Sequence, residues 1–164
     1  MRPLDQLRSV TPPWVHLVVL DREEQLESVG AVAPGFVSRT IDGRRARTKH
    51  GFLAECARAL DFPEGSGQNW DAFEEMLADL EWLPATGYLL IVTDAAELLA
   101  DDPDDYRTFI GIVEDVAREW ATPLQGNPGR AGVPFHVCLV VARDRKDARK
   151  NWGIPRLVIG RDPE

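Results

Sequence analysis

Between Arg58 and Arg107 the chain contains no lysine, arginine or histidine, and the 48 residues in between carry 13 acids. A stretch without cations cannot hold phosphates. With a formal net charge of −8 over the whole chain, nucleic acid and anionic membrane are poor partners, and a basic protein is a better one. Cysteine is equally scarce. Cys56 and Cys138 are the only two, each among apolar neighbours, so buried free thiols are expected rather than a disulfide. No apolar run approaches the ~20 residues of a membrane span. The start, MRPLDQLRSVTPPW, lacks the apolar centre and small-residue cleavage site of a secretion signal, so the cytoplasm is the expected location.

Chemistry-bearing motifs are also missing. The three histidines, His16, His50 and His136, are isolated, and no H-x-x-x-H, C-x-x-C or G-x-S-x-G occurs. His16 and His136 fall within apolar strands, where a satisfied core or edge histidine is expected. No cofactor and no metal is implied. Gly65-Ser66-Gly67 lacks the third glycine and the lysine of a phosphate loop, and Glu64 and Asp71 flank it. Asp101-Asp102-Pro103-Asp104-Asp105 lacks the alternating spacing and closing glutamate of a calcium loop; an acid-rich helix start accounts for it better. In the tail, RDRKDARK interleaves Asp144 and Asp147 with its bases and reads as a solvated helix or turn.

What is present is a foldable core. Apolar residues make up 44% of 164, which suits one domain with appendages. Trp14–Leu20 is β-branched and bounded by Pro13 and Asp21, so it reads as a strand. Asp21 is an expected N-cap for a short helix closed by Gly30. Phe36–Ala46 alternates and contains Asp42-Gly43, a hairpin or turn signal. Thr48 caps a helix with Phe52, Leu53, Cys56, Ala57 and Leu60 on one face. Tyr88–Asp94 and Phe135–Ala142 are continuous apolar runs, as in strands buried on both faces. A short helix is expected over Ala95–Ala100, a longer one over Tyr106–Trp120, and a Gly/Pro loop over Thr122–Pro134. Leu157–Ile159 is an expected edge strand. Strands alternating with helices predict an α/β fold with a parallel sheet flanked by helices.

The distinctive element runs from Asp61 to Leu83. Asn69 is its expected N-cap. On a helical wheel Phe73, Met76, Leu77 and Leu80 take one half, with Trp70 and Ala72 at the edges. Asp71, Glu74, Glu75 and Asp79 take the other. The pairs Asp71/Glu75 and Glu75/Asp79 are four residues apart, and each such like-charge pair costs about 0.2–0.5 kcal/mol. Asp71 regains a similar amount from the helix dipole. A solvated face that keeps the protein soluble is one account of this charge; a basic partner is the other.

The run LDFPEGSGQNWDAFEEMLADL resembles the signature of the barstar family, small intracellular inhibitors of secreted guanyl-specific ribonucleases of the barnase type. Leu60, Pro63, Glu64, Gly67, Asn69, Asp71, Ala72 and Phe73 carry the resemblance. The order of elements from about Phe36 to Ala142 fits as well. The resemblance implies a barstar-like three-layer-type fold over 36–142, with a strand-and-helix extension at 1–35 packed on the core and a tail at 143–164. It implies no catalysis. It implies a one-to-one complex with a basic ribonuclease, whose phosphate-holding cleft receives carboxylates in place of phosphates, and a monomer when free. The implied partner-binding residues are Gly65, Ser66, Gly67, Asn69, Asp71, Glu74, Glu75 and Asp79, with Asp71 and Glu75 foremost. An acid of the later helix joins them, Asp115 or its neighbour Glu114. The family's best-known member has aromatics at the positions of Gly65 and Glu74, an aspartate at that of Glu75 and a small residue at that of Asp79. These departures imply a partner cleft of different shape. Two other readings stay open: an acidic interaction module with a non-nuclease partner, and a small α/β enzyme whose residues converge without a local motif.

Overall fold

A computed structural model describes residues 3–22, 25–122 and 132–159. The elements follow as β1 (Val15–Leu20), α1 (Gln25–Gly30), β2 (Phe36–Asp42), α2 (Lys49–Ala59), α3 (Trp70–Asp79), β3 (Gly87–Thr93), α4 (Pro103–Ala121), β4 (Phe135–Ala142) and β5 (Arg156–Ile159). The five strands lie in the order β2-β3-β4-β1-β5, and every neighbouring pair is parallel. Parallel strands need crossovers, and the helices that supply them cover both faces. The fold is thus α/β with a parallel sheet and flanking helices, as the alternation of strands and helices predicts. The expected loop at Thr122–Pro134 lies outside the described residues from 123 to 131, as do residues 23 and 24 of the short helix expected after Asp21.

Alternation along the strands divides the core in two. Val15, Leu17 and Val19 of β1, Leu90 and Val92 of β3, and Val137, Leu139 and Val141 of β4 face α2, α3 and α4. Val18 and Leu20, Leu89 and Ile91, and Cys138 and Val140 face the other way, toward Leu7 and toward Val29 of α1. The N-terminal segment supplies a strand within the sheet itself: β1 is hydrogen-bonded to β4 on one edge and β5 on the other. Cys56 and Cys138 are buried free thiols, and burial pushes both above the ordinary thiol range.

Several local expectations are revised. Of the hairpin and the turn that Asp42-Gly43 signals, the structure has the turn. The pair opens a 3-10 turn, Gly43–Arg45, with the Asp42 carboxylate accepting the Arg44 N–H at 2.9 Å. The glycine answers to crowding instead of turn type, since a Cβ at Gly43 would sit 2.4 Å from the Asp94 carbonyl oxygen. The Asp21 carboxylate pairs with Arg143, and the Gln25 side chain accepts the Asp21 and Arg22 N–H groups; the cap expected of Asp21 would involve residues 23 and 24, which lie outside the described residues. Ala95–Glu97 is a 3-10 turn instead of a helix through Ala100. On α2, Ala57 is only half-buried, while Glu55 is buried with its carboxylate paired to Arg58 at 2.9 Å.

His16 and His136 are both fully buried on the α1 face of the sheet. His136 Nε2 lies 2.6 Å from the Ser9 carbonyl, so this nitrogen carries the proton and donates. Its Nδ1 is then bare and accepts from His16 Nε2 at 2.9 Å. His16 Nδ1 is left as a bare acceptor without a donor among the described residues. This arrangement requires a neutral His136 ring, and burial disfavours the charged form of His16 as well. Burial first, and the neighbouring His136 second, lower the His16 pKa from 6.5 to about 3. Burial also lowers His136, opposed by the bond to Ser9.

Two outcomes follow from these contacts. A histidine held below its unfolded pKa costs stability as pH falls, because the unfolded chain takes up a proton that the folded chain refuses. Stability therefore declines between about pH 6.5 and pH 3, at up to about 1.4 kcal/mol per pH unit from His16. Urea midpoints measured across that window fall less steeply in His16→Leu than in the parent. An equal slope in the two proteins defeats the assignment. Gly43→Ala forces backbone apart at the β2–β3 junction and lowers stability by about 1–3 kcal/mol, read from the same urea titration at neutral pH.

Candidate partner-binding site: the acidic loop and helix

Helix α2 ends at Leu60, and the chain turns through Pro63, with the Ser66 N–H donating to the Pro63 carbonyl at 3.2 Å. Gly65 and Gly67 have φ of +78° and +81°, the left-handed region where glycine alone is unstrained. Asn69 caps α3 as expected, accepting the Ala72 N–H at 2.8 Å. Leu80 ends the helix in a left-handed conformation, φ +47°. That costs a branched side chain about 1–2 kcal/mol. Full burial of the leucine, worth about 1.5–3 kcal/mol, offsets it.

The inner face of α3 is anchored by rings. Phe52 of α2 sits 4.9 Å from Phe109 of α4, 5.5 Å from Phe73 and 5.7 Å from Trp70, centroid to centroid. Indole groups fix both ends. Trp70 donates to Asp105 at the start of α4 (3.0 Å), and Trp120 at the end of α4 donates to the Leu77 carbonyl (2.9 Å). Helices α3 and α4 therefore run side by side in the same direction. The bracing role of Trp70 escapes a sequence reading, in which it is only an edge residue of the wheel; its partner lies 35 positions away.

The outer face is open. Asp71, Glu74, Glu75 and Asp79 are all exposed, as are Gly65, Gly67 and Asn69, while Ser66 is half-buried. The flanking bases reach only part of the acidic block. Arg44 and Arg47 take Asp94, Asp101 and Glu97, the Lys49 N–H donates to Asp102, and Arg39 reaches Asp61 at 3.5 Å. Among the described residues no basic group lies within 4.0 Å of Glu64, Asp71, Glu74, Glu75, Asp79 or Glu81. Lys49 leans over the Trp70 ring, 5.9 Å from its centroid, without pairing with any of them. On α4, Asp115 is exposed but paired with Arg118 at 3.1 Å; Glu114 is exposed and has no such pair among the described residues. The described residues contain no cluster of metal-ligating side chains.

A loop opened by two glycines and a rigid helix bearing uncompensated carboxylates can do one thing well, which is to present negative charge to a concave basic surface. By shape the chain is similar to the Aeropyrum pernix ORC2 protein solved in ADPNP–ADP complexes, with TM-score 0.55 at 12% identity, over 91% of this chain and 42% of that one. A Drosophila ORC structure bound to AT-rich DNA and Cdc6 gives TM-score 0.44 at 13% identity, over 84% of this chain and 44% of that one. The chain spans less than half the length of either, and likeness at such identity concerns the fold alone. No curated protein matches the chain. The family described as Barstar (barnase inhibitor) matches residues 36–140, well over half of the sequence and the whole of the acidic loop and helix. This chain belongs to the barstar family.

Proposed function

We propose that the chain is an inhibitor of a basic, guanyl-specific ribonuclease, and that it acts by seating the 65–79 loop and helix in the nuclease's active-site cleft. The observation that carries this reading is the set of exposed carboxylates on α3 with no basic group within 4.0 Å among the described residues. A ribonuclease cleft is basic because it binds phosphates, and carboxylates on a preorganised helix can occupy the same positions without being cleaved. Asp71 and Glu75 lie one turn apart and serve as the principal phosphate mimics. Glu74 and Asp79 widen the negative field, and Gly65, Ser66, Gly67 and Asn69 let the backbone approach closely. Asp115 contributes only by exchanging Arg118 for a cation of the partner; Glu114 needs no such exchange. The protein performs no chemistry itself. It is a monomer when free and binds one nuclease.

Gly65 has nothing within 4 Å of where a Cβ would lie, so the loop leaves open space that a protruding side chain of the partner can fill. A cleft with a projecting rim residue suits this inhibitor better than a smooth one.

Two measurements test the reading. RNA cleavage by guanyl-specific ribonucleases is titrated with the chain. Inhibition is expected to weaken as salt rises, because the screening length falls from ~10 Å at 0.1 M to ~3 Å at 1 M. Asp71→Ala is expected to raise the inhibition constant at least about tenfold, or 1.4 kcal/mol, with an unchanged circular-dichroism spectrum. Binding to the nuclease that leaves RNA cleavage intact points to an interaction module of another kind. In the free chain, Glu75→Gln removes two like-charge pairs and raises stability by roughly 0.4–1 kcal/mol at low salt while weakening inhibition. A free chain that loses stability on this substitution contradicts the picture of an uncompensated face.

A further inference from the structure

Because all five strands are parallel, β1, β3 and β4 end at the same edge of the sheet, at Leu20, Thr93 and Ala142. Strands β1 and β4 are neighbours, yet their onward connections diverge. The chain leaving β1 returns to β2 over the face that buries Val29 of α1. The chain leaving β4 crosses to β5 over the opposite face, where Ala148 is buried. Divergence of this kind opens a crevice beyond the carboxyl ends of a parallel sheet. Here the crevice is present, with a volume of about 500 Å³. That is within the range of small-molecule sites.

Its floor is apolar, built from Leu20, Val140 and Ala142 at the strand ends and Leu26 of α1. Most of the charge on its walls is already spent. Arg44 binds Asp42 and Asp94, Asp21 binds Arg143, and Glu97 binds Arg47. Two guanidiniums are not spent: among the described residues the side chains of Arg22 and Arg145 make no ion pair and no hydrogen bond. Against them, among the described residues, stand the unpaired wall carboxylate of Asp147 and that of Asp94, which shares Arg44 with Asp42. Asp94, at the end of β3, holds a left-handed conformation without a side-chain cap, φ +47°. The lining holds four acids and three arginines, and the arginines that pairing leaves free to meet an anion are Arg22 and Arg145.

We propose that this crevice binds a small molecule with an apolar body and one oxyanion, a carboxylate or a phosphate, held between Arg22 and Arg145. The site shares no residue with the acidic loop and helix, so it stands or falls independently of the inhibitor reading. The β1–α1 turn contains no glycine-rich cradle, which leaves recognition of the anion to the guanidiniums, whose planar forks fit either oxyanion.

Amide chemical shifts of the full chain, followed while adding 1-naphthyl phosphate, 1-naphthoate, 1-naphthylmethanol or inorganic phosphate, test this. Saturable shifts at Arg22, Thr93, Asp94 and Arg145 are expected from at least one naphthyl acid by about 10 mM, where even a millimolar site is filled. The phosphate acting alone assigns a phosphate ligand, and the carboxylate acting alone a carboxylate ligand. Arg22→Gln and Arg145→Gln, both at exposed positions, are each expected to weaken binding about tenfold with the remaining spectrum unchanged. The proposal is overturned if neither acid gives saturable shifts at these amides, if the neutral alcohol binds as well as the acids, or if binding survives both substitutions together.

Discussion

The acidic face of α3 depends on how firmly the opposite face is held. Phe73, Leu77 and Leu80 are essentially removed from water, and each contributes about 1.5–3 kcal/mol by burial. The two like-charge pairs on the outer face cost about 0.2–0.5 kcal/mol each. Burial therefore exceeds repulsion several-fold, and the helix needs no internal cation. Phe52 makes this possible, since its ring touches residues of both α3 and α4 and ties the acidic helix to the layer that covers the sheet. The tryptophan bonds at the two ends then prevent the helix from sliding along its neighbour.

The charge of the chain is sorted by position. The bases from Arg44 to Lys49 lie close to the acids that follow β3 and satisfy them locally. Exposed pairs of this sort add little to stability. Their effect is to offset the acids that follow β3, so that Glu64, Asp71, Glu74, Glu75, Asp79 and Glu81 stand together as an uncompensated group on one loop and one helix. A field confined in this way steers an approaching cationic surface more sharply than the same net charge dispersed.

Much of this was legible in the residues. Long apolar runs identified β3 and β4 because strands covered on both faces cannot alternate. Asn69 and Thr48 announced their helices because a side-chain oxygen before an amphipathic run has a backbone N–H to accept. The polar half of α3 was legible from spacing alone. What stayed hidden depends on distant partners. Asp42-Gly43 carries a turn signal whether a hairpin follows or a parallel crossover does, and only the approach of Asp94 distinguishes the two. The His16–His136 bond joins residues 120 positions apart. The crevice at the strand ends draws its walls from β1, β3, β4 and the turns after them, so no contiguous stretch advertises it.

Strand β1 lies between β4 and β5, although the family match begins only at residue 36. Six consecutive residues of β4, Val137–Ala142, are in register with β1. A polypeptide trimmed to the matched segment would leave the part of that row it keeps, Val137–Val140, with its amide and carbonyl groups bare along an apolar ribbon. Such a ribbon recruits whatever strand it meets, including its own copies. Strand β1 thus covers that ribbon, and moving the acidic loop and helix into another protein requires carrying this distant strand along with it.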